Sequence, residues 1–234
     1  MKRAFLLVLI FAMITIAGGA VFADDEDFAS MQKNAVTVDI GPLIVSNSYR
    51  NFFETSGTDA PSFGIAAQYE RQLMEKLSLA ARFAYMTFGM SSSNDKKKST
   101  EETSSFSLEG HVRLYPGDVF FVDGMLGYAN VSVTRKVIEK TPLDDIKPMN
   151  YSISRNYFKY GIKIGWRVSV GKPVGFVFEP SFGWNGGIGL GETLGKQEAK
   201  KEGKENDSNA GWSLVEQWIF VGGPRLSLAF GVRF

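Results

Sequence analysis

The carboxy-terminal ten residues alternate between apolar and polar side chains with a period of two. Leu226, Leu228, Phe230, Val232 and Phe234 fall on one parity, and polar or small residues fall on the other. In an extended strand this spacing places every apolar side chain on one face. The segment is therefore predicted to be an amphipathic β-strand with an aromatic residue at its end.

The same alternation recurs in seven earlier segments, so the chain is predicted to be all-β. A composition with 19 Phe and 25 Gly suits closely packed β-structure with amphipathic faces. Together with the carboxy-terminal strand, the segments make eight predicted strands. The seven lie at 36–41, 63–70, 77–85, 106–114, 120–128, 158–168 and 174–184.

The connections between these strands alternate in length. Tight turns are predicted at 74–76, 116–118 and 171–173. The other connections are long and polar, and they cover 46–61, 91–104, 134–156 and 185–211. This asymmetry is typical of a barrel in a bacterial outer membrane, with short periplasmic turns and long extracellular loops. We therefore predict an eight-stranded antiparallel transmembrane β-barrel.

The segment 211–221 does not fit the pattern, because it is apolar but alternates poorly. It is interpreted as an outer extension of the last strand or as a short helix in the fourth loop. A ten-stranded barrel is the alternative, in which this segment pairs with the final strand and Ile188 to Leu194 forms another strand. Eight strands are preferred, since ten would place the charged run 196–207 on the side of the short turns.

The amino terminus has the features of a secretory signal peptide. Lys2 and Arg3 precede an apolar core at 4–16, and a small-residue exit leads to predicted cleavage between Ala23 and Asp24. The expected organisation is a cleaved signal at 1–23, a periplasmic segment at 24–34 and a barrel domain at 35–234. No later apolar run has the length of a helical membrane span, so insertion must use strands.

Composition excludes several classes of function. Because the chain has no cysteine, it cannot carry a disulfide scaffold, a thiolate metal site or a lipid-modified amino-terminal cysteine. Its 26 basic and 25 acidic residues give no nucleic-acid-binding footprint. No loop has the ordered spacing of a known calcium site. We expect no metal and no cofactor.

Alternation alone does not say whether the apolar face points to lipid or to a soluble core, as in a lipocalin-like barrel. Three features favour lipid. The apolar parity carries no charged residue, the opposite parity is rich in small residues, and aromatic residues gather toward the strand ends. The polar parity is therefore predicted to line the lumen.

The predicted lumen holds thirteen charged or titratable residues. Unpaired buried charges are unfavourable, so these residues should pair across the barrel. They are interpreted as a polar plug, with a selectivity or gating network as the alternative. Lys159, Lys163 and Arg167 share one inward line and are the expected partners of the carboxylates. The full set is Asp39, Glu70, Arg82, Glu109, His111, Arg113, Asp123, Lys159, Lys163, Arg167, Glu179, Arg225 and Arg233.

His111 is the only histidine, and some outer-membrane barrels are lipid-modifying enzymes or proteases. A histidine general base needs an oriented nucleophile, and no serine or aspartate motif stands out near it. A hydrogen-bonded interior histidine is the preferred interpretation. No catalytic residue is assigned, and an enzyme is the least favoured class.

With signal peptide, alternating strands and terminal Phe234 together, the chain resembles the small outer-membrane β-barrel superfamily of OmpA-like, OmpX-like, OmpW-like and opacity-type proteins. The resemblance implies an outer-membrane location, contact with membrane lipid, and recognition by the outer-membrane assembly machinery. In that family the alternating terminal strand acts as the assembly signal, which here covers Leu226 to Phe234. The expected function is a surface anchor whose loops bind a surface ligand or host partner. The OmpW-like branch implies the alternative, a narrow channel for small or hydrophobic solutes.

Overall fold

The computed structural model describes residues 33–44, 62–74, 76–93, 97–117, 119–139, 150–171, 173–201 and 221–234. The predicted signal peptide, its cleavage site at Ala23 and Asp24, and most of the periplasmic segment 24–34 lie outside these ranges. So do the whole loop at 46–61 and all but Val221 of the segment 211–221.

The described residues are dominated by long antiparallel strands. A helical turn at 41–44 follows the first strand, and a helix, α1 (Leu194–Lys201), follows the eighth. None of the described helices is long and apolar enough to cross a membrane. The strands are β1 (Asn34–Asp39), β2 (Phe63–Met74), β3 (Leu77–Ser93), β4 (Lys97–Leu114), β5 (Phe120–Glu139), β6 (Asn150–Trp166), β7 (Val168–Val170), β8 (Gly175–Leu190) and β9 (Gly223–Arg233).

Eight of these strands close into a ring. Consecutive strands pair from β1 to β6, β6 pairs with β8, β8 with β9, and β9 with β1. Main-chain hydrogen bonds of 2.9 Å in both directions between Asn34 and Phe234 complete the junction. The short β7 continues the line of β6 after an interruption at Arg167 and pairs with β8. The predicted eight-stranded barrel is confirmed.

The ten-stranded alternative is wrong. Ile188 belongs to β8, which continues to Leu190, and Leu194 begins helix α1. A separate strand is therefore absent from this part of the described chain, because one continuous strand already pairs with β6 as far as Asn156.

The tight turns lie at one end of the barrel, and we name it the turn end. Gly171 has a φ of +106° in the turn before β8, and a Cβ there would lie 2.9 Å from the carbonyl oxygen of Val174. Only glycine adopts such a backbone without strain. Both barrel termini, Asn34 and Phe234, lie at this end.

Two predicted loops are largely strand, which corrects the expected boundaries. The strands β3 and β4 pair without a register shift from Leu77 to Ser93, and β5 and β6 pair from Phe120 to Lys136. Much of 91–104 and 134–156 therefore belongs to strands that project beyond the predicted ones. We name the projecting parts of β3 to β6, together with α1, the extension.

The reason for this error is a reversal of the apolar parity along continuous strands. On β5, Leu126 and Tyr128 point outward and are exposed, whereas Val131 and Val133 point inward and are fully buried. No bulge separates the two halves in the pairing with β4 or β6. A sequence reading that expects one parity per strand ends the strand where the parity changes.

Below the extension, the outward face forms an apolar belt. On each of three neighbouring strands it runs over nine residues, from Phe106 to Leu114, from Phe120 to Tyr128 and from Phe158 to Trp166. Most of its large apolar side chains are 40–60% exposed on these strands, for example Leu108 at 60% and Tyr160 at 47%, while Phe120 and Val122 are half-buried. Roughly nine to eleven tilted residues cross a bilayer. The height and composition of the belt are those of a transmembrane β-barrel.

Candidate functional site

The interior of the belt region holds the predicted lumen residues. All thirteen occupy inward positions, and nine of them are buried. Arg82, Lys163, Arg225 and Arg233 are partly exposed. The alternation of the strands places them inside, and the closure of a small ring brings residues from opposite walls within reach.

Arg113 is the centre of a first group, named the arginine cluster, which also contains Glu70, Asp123, Arg167 and Glu179. Its Nη1 donates to Glu70 at 2.6 Å and to Glu179 at 3.0 Å, and its Nε donates to Asp123 at 3.0 Å. Arg167 donates two hydrogen bonds to Glu70, at 2.9 and 2.6 Å, and also pairs with Glu179. Four separate strands and the β6–β7 junction are thus joined by charge-assisted hydrogen bonds.

A second group, named the lysine cluster, lies nearer the extension and contains Asp39, Arg82, Glu109, Lys159 and Lys163. Arg82 bridges Asp39 and Glu109 at 2.8 Å each. Lys159 donates to Glu109 at 2.5 Å. Lys163 lies 3.3 Å from Asp123 and so links this group to the arginine cluster.

The two clusters are balanced in charge. Five carboxylates meet five cations, and every carboxylate has at least one ion-pair partner within 3.3 Å. Arg233 lies at the turn end, where it donates to Gln72 at 2.6 Å. Buried charges persist only when they are paired and hydrogen-bonded. All ten charges here are paired, and Nη2 of Arg113 is the one nitrogen of these five cations that is buried without a hydrogen-bond partner among the described residues.

His111 lies between the clusters and is 4% exposed. Its Nδ1 is 2.8 Å from Asp123 Oδ1, and its Nε2 is 3.5 Å from a Glu109 oxygen and has no hydrogen-bond partner among the described residues. A histidine base for catalysis needs a hydroxyl or thiol in contact with that nitrogen. The described geometry is that of a histidine held inside an ionic network.

Several partners of the network were missed by sequence reasoning. Ser78 and Tyr115 each donate to Glu70 at 2.7 Å, and Ser107 donates to Glu109 at 2.7 Å. The Arg113 guanidinium lies 4.1 Å from the centroid of the Phe121 ring. The signal that could have found them is their parity, since all four occupy inward positions. They were not predicted because the lumen set was restricted to charged residues and the histidine.

A small cavity adjoins the lysine cluster on the side of the extension. It has a volume of about 90 Å³ and is lined by Asp39, Arg82, Glu109, Lys159 and Lys163 among others. Since one water occupies roughly 30 Å³ of liquid, the cavity has room for about three. Among the described residues, no group of three or more His, Cys, Asp or Glu side chains could hold a metal ion.

Beyond the lysine cluster the interior becomes apolar. One hydrophobic core fills the extension, with members from the three strands β3, β5 and β6, from α1 and from Val221. Leu194 of α1 and Val131 of β5 are fully buried in it. Its residues are Met86, Phe88, Ala129, Val131, Val133, Tyr151, Ile153, Tyr157, Leu194 and Val221.

Helix α1 is fastened over this core by a polar group, named the latch, which comprises Glu101, Arg135, Tyr151 and Glu198. Glu198 accepts hydrogen bonds from Tyr151 at 2.5 Å and from Arg135 at 2.8 Å. Burial raises the pKa of Glu101 to about 7; the Glu198 carboxylate adds to this rise and Arg135 opposes it. One Oε atom of Glu101 and one of Glu198 are buried without a hydrogen-bond partner among the described residues.

No protein-family model matches the chain, and no curated protein matches it. Among solved structures it is similar to Ail, the attachment invasion locus protein of Yersinia pestis, in complex with the heparin analogue sucrose octasulfate. That similarity has 12% identity, a TM-score of 0.46, and coverage of 86% of this chain and 97% of the other.

The same Yersinia pestis protein in a phospholipid bilayer nanodisc gives 12% identity and a TM-score of 0.41, over 86% of this chain and 99% of the other. Acinetobacter baumannii CarO2 gives 13% identity and a TM-score of 0.35, over 85% of this chain and 97% of the other. At identities this low, the similarities concern the architecture alone. The function has to be inferred from this chain's own residues.

Proposed function

We propose that the chain is an outer-membrane protein whose closed barrel anchors a surface-exposed extension, and that the extension is the binding part. The nine-residue apolar belt supports insertion through strands, with membrane lipid as its contact. The short turns and both barrel termini face the periplasm, so the extension faces outward from the cell. Assembly machinery that reads the terminal strand Leu226 to Phe234 inserts the barrel.

The observation that carries this proposal is that the interior is filled at two separate levels. The paired charges of the arginine and lysine clusters occupy the belt region, and the hydrophobic core occupies the extension. An ion would have to separate several buried ion pairs and then pass through apolar side chains. Both steps are strongly unfavourable.

The outer surface of the extension suits contact with a partner. Its outward side chains on β4 to β6 are small and polar, and only Glu102 and Lys136 among those with described side chains carry a charge. The polar set is Thr100, Ser104, Asn130, Ser132, Thr134, Asn150, Ser152, Ser154 and Asn156. A rigid strand surface of this kind offers many hydrogen-bond donors and acceptors to a surface ligand or a host molecule.

A narrow channel is the second candidate, and the cavity of about 90 Å³ beside the lysine cluster is the observation that favours it. If the extension opened, this cavity would be the first part of the lumen reached by solvent. The two candidates differ in whether the resting protein conducts ions.

Conductance of the purified protein in planar lipid bilayers tests the proposal. We expect no stable single-channel current from the wild type, because both levels of the interior are filled. A stable current whose selectivity changes in Lys163→Glu, and does not change in the matched control Lys136→Glu, would establish the channel and reject the closed anchor. Lys163 lines the cavity, whereas Lys136 is exposed on the extension.

A further inference from the structure

Two glycines on the outward face of the belt have no explanation in the packing of the barrel. Gly110 on β4 and Gly124 on β5 lie at the middle of their nine-residue belt segments. A Cβ built on Gly124 meets no described atom within 4 Å, and one on Gly110 meets only the Leu126 carbonyl oxygen at 3.9 Å. A larger residue would therefore fit at either position.

Inward glycines of the same barrel behave differently. A Cβ on Gly127, Gly183 or Gly231 would lie 2.6, 2.5 and 1.9 Å from a main-chain oxygen of the neighbouring strand. Close approach of the strands requires glycine at these three positions. A glycine inside a strand weakens it, and often marks a place where a ligand approaches the backbone. The outward pair therefore points to a molecule outside the barrel wall.

Both glycines lie in one groove on the lipid-facing surface. The groove spans β3 to β6 and β8, and its volume is about 890 Å³. This volume lies within the range of roughly 300–1,000 Å³ that is usual for ligand sites. Its outward walls are formed by Leu79, Val112, Leu126, Tyr160, Ile162 and Trp184.

The register of the strands explains the shape of the groove. Gly124 is flanked across the sheet by Val112 and Ile162, and Gly110 is flanked by Leu126. Large side chains thus stand beside bare backbone. Tyr160 leans over Gly186, where a Cβ would lie 2.5 Å from its ring. Its ring therefore lies along β8 and not over the two glycines.

We propose that this groove binds one acyl chain of a membrane lipid. The inference rests on the proposed membrane insertion and adds a specific lipid site to it. The groove is continuous with the lipid-facing belt, and its outward lining is apolar apart from the Tyr160 hydroxyl and the Trp184 indole nitrogen. It lies at the middle of the belt, so it meets hydrocarbon and not headgroups.

The geometry also favours a chain over a second copy of the barrel. A stable protein interface buries about 800 Å² of surface on each partner. The exposed backbone at the floor of this groove is limited to two glycines, Gly110 and Gly124, which is a much smaller surface. A flexible acyl chain can lie against the exposed backbone at both glycines. There it gains dispersion contacts that any side chain at those positions would prevent.

Native mass spectrometry of protein released from dimyristoyl phosphatidylcholine nanodiscs tests the site. The wild type should retain one lipid per barrel. The double variant Gly110→Leu/Gly124→Leu fills the groove and should lower the retained fraction at least about tenfold, since several methylene contacts are lost. Ala67→Leu is the matched control, because it adds the same side chain to the belt outside the groove and should retain the lipid.

Three results would overturn the lipid site. They are equal retention in the double variant and the wild type, no retention by the wild type, and a wild-type dimer that the double variant loses. The last result would assign the groove to a second copy. Recovery of the protein in the nanodisc fraction is read separately, so failure of the groove remains distinct from failure of membrane insertion.

Discussion

Arg113 is fully buried and bonds carboxylates from three other strands, Glu70 on β2, Asp123 on β5 and Glu179 on β8. One side chain therefore fixes the relative positions of four strands. Because the ring is closed, residues from strands that do not pair with each other meet across the lumen, and the residues that Arg113 bonds are separated from it by 10 to 66 positions. Inward parity follows from the sequence, but this choice of partners does not.

Replacing Arg113 with methionine should destabilise the barrel strongly. The change leaves buried carboxylates with too few partners, and breaking a buried pair in this way costs about 3–5 kcal/mol. Urea unfolding in lipid vesicles, followed by gel mobility without heating, measures the change in the free energy of unfolding. Arg233→Met is the matched control, since Arg233 is partly exposed at the turn end and should cost only about 1 kcal/mol. Equal losses in the two variants would contradict the central role of Arg113.

At the scale of the element, β5 combines two environments in 20 residues. Its first half presents apolar side chains outward to the belt, and its second half presents them inward to the core under α1. The sequence signal for each half is a period of two, but the halves have opposite phase. Because of this phase change, the sequence pattern predicted a loop at 134–156. In the structure, β5 continues into this region without a bulge.

The latch makes the extension sensitive to pH. In the unfolded chain Glu101 has a pKa near 4.5, and in the folded extension its pKa is about 7. Below about pH 4.5, Glu101 does not change the free energy of unfolding, because it is protonated in both states. The free energy of unfolding then falls progressively as the pH rises from about 4.5, and the loss is complete once the pH has passed 7. The loss is at most about 3–4 kcal/mol, because the two pKa values differ by about 2.5 and one pKa unit is worth about 1.4 kcal/mol.

Hydrogen exchange of α1 and the adjoining strands measures this loss, after correction for the intrinsic pH dependence of exchange. Protection should fall between pH 5 and pH 8 in the wild type, and Glu101→Gln should flatten the profile. Glu102→Gln is the control, since Glu102 is exposed on the outer face of β4. A wild-type profile that is flat, or that is unchanged by Glu101→Gln, would exclude the latch as the cause.

At the scale of the whole molecule, closure of the ring depends on β1 and β9. These strands pair from Ala35 with Arg233 to Asp39 with Ala229, and Phe234 adds the last main-chain bonds. The terminal strand therefore forms the barrel wall, and its role as an assembly signal is a prediction that concerns the path to that state.

Deletion of Phe234 should impair insertion into the outer membrane, with most of the surface-exposed protein lost. The absence of cysteine allows a direct measurement. Ser154→Cys, exposed on the extension, should react with a membrane-impermeant maleimide on intact cells, and the deletion should remove most of this labelling. Ser169→Cys, exposed at the turn end, should react only after the outer membrane is permeabilised. Normal labelling of the Phe234 deletion would reject the assembly signal.

The sequence by itself determined the class of fold, the number of strands in the ring and which side chains of the belt region face inward. These properties follow from the local period of two and the spacing of turns, which need no knowledge of distant residues. Tertiary structure decided which charges pair, how far the strands extend, and that the extension has an apolar core under α1. Pairing depends on shear and register around a closed ring, and the second core appears only when Val131, Ile153 and Leu194 are brought together from separate elements.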